Sequence, residues 1–371
     1  MKIMQKSLIV FFLTLASLNL GAQAYPFELE KIMEGWSNPW GMEFLPDGSA
    51  LITEKAGRLW LWDGATSRSE ITGVPSVALV GQGGLLDVAL DPDFLKTPYV
   101  YLSYSVSEKG AHGTRIGRGL LKDKKTLINF EMLWDLPLRT SSGPHFGSRL
   151  AFGTDGLLFF SVGDRGAMER AQNLQDGAGK IHRIHKDGRI PSDNPLVGKK
   201  EFMGSIWSWG HRNVQGLTVA PDGTLWATEH GPQGGDEINL VEKGKNYGWP
   251  IITYGKQYGS GANIGEGTHK EGLEQPRVIW TPSIAPSGLV WYAGKAFPDW
   301  AGSLLSGNLA GQRLVQIPIA NQWPGEETQY LQGQVGRIRE LAVDSKGFLY
   351  LLTDGPRASL YRIVPKKRLA Q

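Results

Sequence analysis

Polar side chains that could carry chemistry crowd around one strand-like run in the middle of the chain. The run is Gly216–Thr228, and it lies inside the glycine-rich segment Ser205–Pro250. The residues of interest that flank it are His211, Arg212, Asn213, Gly231, Pro232, Asp236 and Glu237. Arginine suits carboxylates, whereas carboxylate and backbone carbonyl oxygens suit Ca²⁺. The segment therefore predicts a site for an anionic ligand and a hard cation on loops at strand ends, although Gly231-Pro232 would also suit a simple turn.

Three further groups of polar residues stand at equivalent places, at the edges of other predicted strand pairs. They are Gln82 in G-Q-G-G-L, His145 in G-P-H-F-G-S-R-L with Asp164 in V-G-D-R-G, and Arg337 with Arg339 in G-R-I-R-E-L. A histidine with a carboxylate partner can act as a general base. Each group also has a purely structural interpretation: His145 as a turn residue, Asp164 in an Asx turn, and the two arginines on a solvated face. The sequence lacks the short motifs of zinc proteases, serine hydrolases and phosphate-binding loops.

The elements that must position these residues form a unit that recurs six times: an apolar strand, a tight turn that often contains Asp-Gly, and a second apolar strand. The copies begin at Gly41, Leu86, Arg149, Gly216, Gly288 and Glu340. They start roughly 45 to 70 residues apart, which is typical of propeller blades. No segment of the mature chain shows the 3.6-residue apolar period of a helix. The predicted fold class is all-β: one six-bladed β-propeller with four-stranded antiparallel blades over residues 25–371.

Two finer expectations follow from this fold. Phe27–Met33 is expected to be the strand that closes the ring beside the last blade. The inserts Ser105–Gly119, Gln172–Gly204 and Tyr254–Gln275 are expected to be loops on the ligand face. Because blade-edge residues converge on the axis of a ring, groups far apart in the sequence can share one site.

The first 24 residues resemble a secretory signal peptide. Lys2 and Lys6 precede the apolar run Ser7–Leu20, and Ala22-Gln23-Ala24 is a small-x-small cleavage site. The run is shorter than the roughly 20 apolar residues of a membrane span, and no later segment qualifies, so no membrane span is expected. In a bacterial cell the mature protein would lie in the periplasm.

Charge and cysteine usage exclude several classes of function. The formal net charge of +3 falls to about +1 once Lys2 and Lys6 are removed, and the sequence contains no basic stripe. Nucleic acid is therefore not expected as a partner. The absence of cysteine excludes disulfides, thiolate metal sites and a cysteine nucleophile.

Together the motifs resemble those of one family, the soluble, periplasmic PQQ-dependent aldose sugar dehydrogenases, which are related to glucose and sorbosone dehydrogenases. The matching motifs are G-Q-G-G-L-L…D-P-D-F, G-P-H-F-G-S-R-L, S-W-G-H-R-N-V-Q-G-L, E-H-G-P-Q-G-G-D-E-I-N and N-Y-G-W-P. They span essentially the whole mature chain, and the order H-R-N…G-P…D-E-I-N…N-Y-G-W-P is specific, whereas the repeats alone are not. The resemblance implies hydride transfer from C1 of an aldose sugar to PQQ, a lactone product, and an electron acceptor that is a quinone or a redox protein.

The resemblance also implies roles for single residues. His145 matches the general base that takes the proton of the anomeric hydroxyl, and Asp164 matches the carboxylate that orients it. Arg212 matches the residue that holds negative charge developing on the quinone, and Asn213 is its neighbour on the cofactor.

Five more positions match residues that contact PQQ in the family, with one departure. Gln82, Arg337 and Arg339 match polar ligands of the PQQ carboxylates, and Tyr258 matches a residue that lines the cofactor. Ala310 stands where the family usually carries a lysine. A missing ammonium there would weaken PQQ binding, unless Arg313 reaches in.

The same comparison implies two calcium sites. Gly231 and Pro232 would offer backbone oxygens to a Ca²⁺ that polarises the quinone carbonyl. Glu237 and the backbone of Tyr247 would hold a second, structural Ca²⁺.

Two other classes of function fit a propeller. One is a Ca²⁺-dependent hydrolase of the lactonase kind, and the other is a non-catalytic sugar- or protein-binding propeller. Arg337 and Arg339 disfavour the hydrolase, because a metal-bound water would need carboxylates around the metal rather than arginines. For the preferred dehydrogenase, the expected partners are an aldose substrate and the electron acceptor, with the protein as a monomer or a homodimer.

Overall fold

The computed structural model describes residues 25–366, which form a ring of six antiparallel β-sheets. The predicted signal peptide, residues 1–24, lies outside this range. Within residues 25–366 the helical segments are two short 3₁₀ turns, Met168–Gln172 and Pro298–Trp300. No helix in this part of the chain is long and apolar enough to cross a membrane. The predicted all-β, six-bladed propeller is confirmed.

The blades follow one another along the chain, strand after strand. The strands are β1 (Phe27–Trp36), β2 (Pro39–Phe44), β3 (Ala50–Glu54), β4 (Arg58–Trp62), β5 (Arg68–Ile71), β6 (Leu85–Leu90), β7 (Tyr99–Glu108), β8 (Ala111–Lys122), β9 (Thr126–Asp135), β10 (Leu150–Phe152), β11 (Leu158–Val162), β12 (Lys180–Ile184), β13 (Ile206–Trp209), β14 (Val214–Val219), β15 (Leu225–Glu229), β16 (Asp236–Val241), β17 (Val278–Trp280), β18 (Pro286–Tyr292), β19 (Ser303–Asn308), β20 (Leu314–Ala320), β21 (Trp323–Pro324), β22 (Thr328–Tyr330), β23 (Ile338–Val343), β24 (Leu349–Thr353) and β25 (Ala358–Pro365).

Each blade is one sheet; in blades 1 to 5 the first strand in the chain lies at the axis, and in blade 6 the axial strand is β23. Blades 1 to 5 are β2–β5, β6–β9, β10–β13, β14–β17 and β18–β22, and blade 6 is β23–β25 with β1 at its outer edge. The first strands of neighbouring blades contact one another around the ring. Strand β1 pairs with β25 from Phe27 opposite Pro365 to Trp36 opposite Ala358. The predicted closing strand is therefore confirmed, and it extends three residues beyond Met33.

Apolar packing between the blades holds the ring together. Six clusters of buried apolar side chains each draw on two neighbouring blades, and the cluster of blades 6 and 1 completes the circle. Strands β3, β11, β15 and β24 are buried along their whole length. These second strands are covered on both faces, which is why their sequences are runs of apolar residues rather than alternating ones. A seventh cluster, formed by Trp40, Leu86 and Phe146, lies at the axis.

The hairpin turns form as the sequence predicts, but two of the three expected loops contain strands. At Asp222-Gly223 the glycine has φ 87°, and Asp222 Oδ1 accepts the backbone N–H of Thr224 at 3.0 Å. Such a turn needs the positive φ that glycine adopts without strain. The prediction that Ser105–Gly119 is a loop was wrong, because it belongs to the long hairpin of β7 and β8. The segment Gln172–Gly204 likewise contains β12, which pairs within blade 3.

One buried guanidinium connects five of the six blades at the axis. Arg149 of blade 3 donates to the carbonyl of Gln215 in blade 4 at 2.6 Å, and it forms ion pairs with Asp87 of blade 2 and Glu340 of blade 6. Its guanidinium carbon lies 4.0 Å from the ring centroid of Trp40 in blade 1. Because all four partners lie on different blades, this single side chain fixes how the first strands meet.

Several carboxyl groups lie near the single positive charge of Arg149. Burial raises the pKa of Asp87, although Arg149 opposes the rise. Burial and the nearby Asp87 raise the pKa of Glu43 to about 8, while burial lowers the pKa of Arg149 to about 10. Close approach is possible because blade 1 has Gly41 here: a Cβ at that position would lie 2.6 Å from Asp87 Oδ1.

We expect Arg149→Met to lower the free energy of unfolding by about 3–5 kcal/mol at about pH 8, since it leaves buried carboxylates without a counter-charge. The loss should shrink at about pH 5, because groups with a raised pKa bind protons more readily in the folded than in the unfolded chain, so falling pH favours the folded variant. Urea denaturation at both pH values measures this.

The matched control is Arg189→Met, which removes an arginine that is 76% exposed and pairs with Asp187 at the surface. It should cost less than about 1 kcal/mol at either pH. If Arg149→Met lost no more stability than this control, Arg149 would not be the axial connection described above.

Candidate active site

A cavity of about 290 Å³ opens at the axis and draws lining residues from all six blades. Its apolar part is the cluster of Trp40, Leu86 and Phe146. Its polar lining consists of Asn38, Lys55, Gln82, Asn213, Gln215, His230, Arg337, Arg339 and Asp354. Of the residues expected to contact a cofactor, Gln82, Asn213, Arg337 and Arg339 therefore lie together, as the sequence predicted.

The two expected catalytic residues form a hydrogen-bonded pair beside this cavity. His145 Nδ1 lies 2.6 Å from Asp164 Oδ1, and the backbone N–H of His145 donates to Gln82 Oε1 at 2.8 Å. The side chain of His145 is 15% exposed, whereas that of Asp164 is 2% exposed. Within residues 25–366, His145 Nε2 has no hydrogen-bond partner. His145 Nε2 is therefore free to exchange a proton with a ligand, while Nδ1 is held by Asp164.

Asp164 is held as a carboxylate by the groups around it. Its Oδ2 accepts the indole N–H of Trp249 at 2.8 Å, and its Oδ1 also accepts the backbone N–H of Gly166 at 2.8 Å. Burial alone would raise the pKa of Asp164, but the interactions with His145, Gly166 and Trp249 together hold that pKa below its usual value. An ionised Asp164 keeps the proton of His145 on Nδ1, so Nε2 is the basic nitrogen.

Four residues in or beside this site have a strained backbone. Asn38, His145, Arg165 and Ala285 have φ values of 48°, 54°, 59° and 51°. Asn38 and Ala285 line the cavity. A left-handed conformation in a residue other than glycine costs of order 1–3 kcal/mol and persists only where the surroundings enforce it.

Arg165 is the residue that enforces the conformation of the His145 loop. Its guanidinium donates to the carbonyls of Ser142 and Pro144, and its guanidinium carbon lies 3.4 Å from the ring centroid of Phe146. Arg165 is fully buried, and burial lowers its pKa to about 9. The clamp grips the loop on both sides of His145, so it fixes the direction of the imidazole.

Arg212 lines a second, smaller cavity, which shares His230 with the axial cavity. Its side chain donates to the carbonyl of Gly231 at 2.7 Å and to that of His230 at 3.2 Å. Its guanidinium carbon lies 5.4 Å from the Trp249 ring centroid and 6.0 Å from that of Tyr258. Tyr258 is 63% exposed, so it covers Arg212 from the solvent side.

The two arginines of G-R-I-R-E-L share a partner that the sequence did not reveal. Arg337 Nε donates to Asp354 Oδ2 at 2.9 Å, and Arg339 Nε donates to Asp354 Oδ1 at 3.3 Å. Arg339 also donates to Gln215 Oε1 at 3.3 Å, and burial lowers its pKa. Arg339 is thus part of the cavity wall, while Arg337 is half exposed at the rim. The interpretation of both as a solvated face fails for Arg339.

A sequence signal for Asp354 existed. The second strand of several blades ends at or just before an acidic residue: Glu54 and Glu229 are the last residues of β3 and β15, Asp354 directly follows β24, and Asp164 lies two residues after β11. Comparing the repeats with one another would have placed Asp354 near the position in its blade that Asp164 holds in blade 3. Trp249 and Lys55 carry no comparable signal, because only the closed ring brings them to the site.

The smaller cavity, about 20 Å³, is lined by oxygen-bearing groups of blade 4. Its lining includes Glu229, Glu237, Tyr247 and Gly231. Glu229 accepts three hydrogen bonds, from His211 Nδ1 at 3.1 Å, the backbone N–H of Arg212 at 2.8 Å and Asn239 Nδ2 at 2.9 Å.

Glu237 has far fewer partners than Glu229. Within residues 25–366 its side chain accepts one hydrogen bond, from Asn239 Nδ2 at 3.2 Å. Burial and repulsion from Glu229 raise its pKa well above the usual value. The described residues contain no group of three or more His, Asp and Glu side chains that could hold a metal. A cation here would therefore need backbone oxygens in addition to Glu237.

The predicted acidic pair divides into two roles. Asp236 accepts four hydrogen bonds, from the backbone N–H groups of Gly231, Ile284 and Ala285 and from Ser283 Oγ. It is saturated and ties two loops together, so it is not a free metal ligand. The Gly231 carbonyl accepts from Arg212, and the Pro232 carbonyl faces Ser283 Oγ at 3.4 Å. A cation at these carbonyls would have to use their second lone pairs.

Ala310 lies at the edge of the site rather than in it. It is exposed, and its neighbour Leu309 lines the cavity whereas Ala310 does not. Its backbone N–H donates to the carbonyl of Ile284 at 3.0 Å. The residue at this position contributes no charge to the cavity.

Comparison with known proteins identifies the family to which this chain belongs. Residues 36–362 match the family described as Glucose / Sorbosone dehydrogenase. The chain is 39% identical to the aldose sugar dehydrogenase YliI of Escherichia coli K12, over 91% of this chain and 93% of that protein. It is also 39% identical to an uncharacterized protein, slr1608, of Synechocystis, over 90% of this chain and 85% of that protein.

Solved structures agree with the sequence matches. The soluble aldose sugar dehydrogenase of Escherichia coli in its apo form superposes with a TM-score of 0.89 at 38% identity, covering 92% of this chain and all (100%) of that one. The PQQ-bound aldose sugar dehydrogenase of Streptomyces coelicolor superposes with a TM-score of 0.77 at 28% identity, covering 91% and 98%. The resemblance drawn from the motifs is confirmed, and the chain belongs to the glucose/sorbosone dehydrogenase family.

Proposed function

We propose that this protein is a PQQ-dependent dehydrogenase that oxidises aldose sugars at C1 to the lactone. The observation that carries the proposal is the His145–Asp164 pair beside a positively charged axial cavity. The names of its relatives support both the sugar and the cofactor.

The cavity suits PQQ, a planar molecule with three carboxylates. Three of its lining residues are cationic, Lys55, Arg337 and Arg339, and one is anionic, Asp354. Gln82, Asn213 and Arg212 would add polar contacts from blades 2 and 4. When bound, PQQ would supply an electrophilic quinone that accepts hydride from C1 of the sugar.

Residues of the chain supply the other roles in the reaction. His145 Nε2 takes the proton of the anomeric hydroxyl, while Asp164 stabilises the imidazolium that results. Trp249 and Gly166 keep Asp164 ionised, and Arg165 holds the loop so that the imidazole faces the ligand. Arg212, which is buried and fixed by two carbonyls, offers positive charge where negative charge develops. An electron acceptor, a quinone or a redox protein, would complete the turnover.

Calcium is assigned to two groups of oxygen atoms. The carbonyls of Gly231 and Pro232 would hold the ion that activates the cofactor, and Glu237 with the backbone of Tyr247 would hold a structural ion. The support for the second site is geometric: Glu237 lines a small cavity with Tyr247 and has a single hydrogen-bond donor. The hydrolase alternative loses support: among residues 25–366 the carboxylate that lines the axial cavity is that of Asp354, and two arginines occupy it.

The direct test adds PQQ and Ca²⁺ to the purified protein and measures dye reduction with a panel of aldoses. The proposal predicts sugar-dependent dye reduction that requires PQQ. Lactone hydrolysis without any dye reduction would contradict it and favour the hydrolase.

We expect His145→Gln to lower kcat by about 10²–10⁴-fold, the usual contribution of a positioned general base. PQQ affinity should stay nearly unchanged, because the imidazole is assigned to the sugar. Asp164→Asn should cause a smaller loss of kcat, since Asp164 only orients and stabilises the base. Steady-state kinetics and PQQ titration check both. A His145→Gln protein that oxidises aldoses at close to the parental rate would show that His145 is a turn residue.

For calcium, we expect a chelator to abolish dye-linked activity and to lower Tm, and Ca²⁺ to restore both. Glu237→Gln should remove most of the Ca²⁺-dependent rise in Tm. In chelator this variant should be at least as stable as the parent at neutral pH, because it no longer carries a carboxylate next to Glu229. The control Glu271→Gln, at an exposed position, should respond to Ca²⁺ as the parent does. An undiminished Ca²⁺ response in Glu237→Gln would rule out Glu237 as a ligand.

A further inference from the structure

Lys55 is a cation in the axial cavity that none of the motifs indicated. It follows the last residue of β3, Glu54, and lines the cavity together with Gln82, Arg337 and Asp354. Its Nζ donates to the carbonyl of Gly81 at 3.1 Å. Among the described residues its side chain forms no ion pair, whereas both arginines of the cavity are bonded to Asp354.

The structural work of Lys55 is done by its backbone. Its N–H donates to the carbonyl of Asn38 at 3.1 Å, and its own carbonyl accepts the N–H of Leu85 at 3.0 Å. These bonds connect blades 1 and 2 and would form with any side chain. The ammonium therefore contributes a single neutral hydrogen bond to the fold, so its charge is available to a ligand.

The surroundings of the ammonium carry more positive than negative charge. Burial and the neighbouring Arg339 lower the pKa of Lys55, and Asp354 only partly opposes them. Asp354 already accepts from Arg337 and Arg339. An unpaired ammonium in a cavity with excess positive charge is a binding group for an anion that is missing from the chain itself.

We propose that Lys55 Nζ binds a carboxylate of PQQ and supplies the ammonium that Ala310 cannot. The inference rests on the proposed function, since it concerns the same cavity and the same cofactor. The positive charge would then come from blade 1, whereas Ala310 belongs to blade 5. Blade 6 lies between these two blades. Arg313, the other residue that could compensate, does not line the cavity.

The test measures binding of PQQ to the metal-loaded apoprotein by calorimetry, without any turnover. Lys55→Met should weaken PQQ binding by about 10- to 100-fold, the usual effect of losing a charge-assisted hydrogen bond. Lys55→Arg should recover most of the affinity. The control Lys346→Met, at an exposed position, should bind PQQ as the parent does.

A second probe separates charge from shape. The trimethyl ester of PQQ has no carboxylate, so the parent and Lys55→Met should bind it with equal affinity. Lys55→Gln serves as a second neutral variant if Lys55→Met does not fold, as judged by circular dichroism. Equal PQQ affinity of the parent and a folded neutral variant would overturn the role of Lys55 while leaving the proposed function intact. Failure of the parent itself to bind PQQ would instead overturn the proposed function.

Discussion

The guanidinium of Arg149 is the interaction on which the site depends. It joins blades 1, 2, 3, 4 and 6 at the axis, directly beneath residues of the cavity: Trp40 stacks on it, and Gln215 accepts its hydrogen bond. Gln215 in turn accepts from Arg339. Hydrogen bonds between neighbouring blades supplement the apolar packing, for example from Ser287 Oγ to the carbonyl of Ile338 at 2.6 Å. Arg149 differs from them because it contacts four other blades at once, so it constrains the angles between those blades. A buried ion pair is weak evidence for stability by itself, but it can specify a unique arrangement, and here it fixes the distances across the cavity.

In the site above Arg149, some side chains are held rigidly and others are free to bind a ligand. His145 is strained, clamped by Arg165 and backed by Asp164, so its free nitrogen is fixed in direction. Lys55 is the reverse case: its backbone is fixed, while its ammonium has a single carbonyl partner. Such a division suits catalysis, since groups that act on developing charge gain most from being positioned before the ligand arrives. The strain is tolerated because the six blade interfaces hold the loops in place.

The sequence predicts the blades well and the site in part. Asp-Gly turns and apolar runs reveal six hairpins, because these signals are local. The strand Phe27–Met33 also shows its role, since a leftover strand in a ring has one place to pair. The pairs Asp164–Trp249 and Arg149–Glu340 are invisible, because residues 85 and 191 positions apart meet only after the ring closes. The prediction of a loop at Ser105–Gly119 was wrong for a different reason: the segment is the end of β7, a turn and most of β8, where polar residues and glycines interrupt the apolar pattern.

The proposed function requires that the axial cavity holds a cofactor that takes hydride from C1 of a sugar while His145 takes the hydroxyl proton. The most direct measurement mixes the PQQ- and Ca²⁺-loaded protein with glucose carrying hydrogen or deuterium at C1 and follows bleaching of the quinone absorbance in a stopped-flow instrument. The account predicts a single turnover that is distinctly slower with deuterium. If both sugars bleached the quinone at the same rate, cleavage of the C1–H bond would not be the step that limits bleaching. A loaded protein that no aldose bleaches would contradict the proposed function.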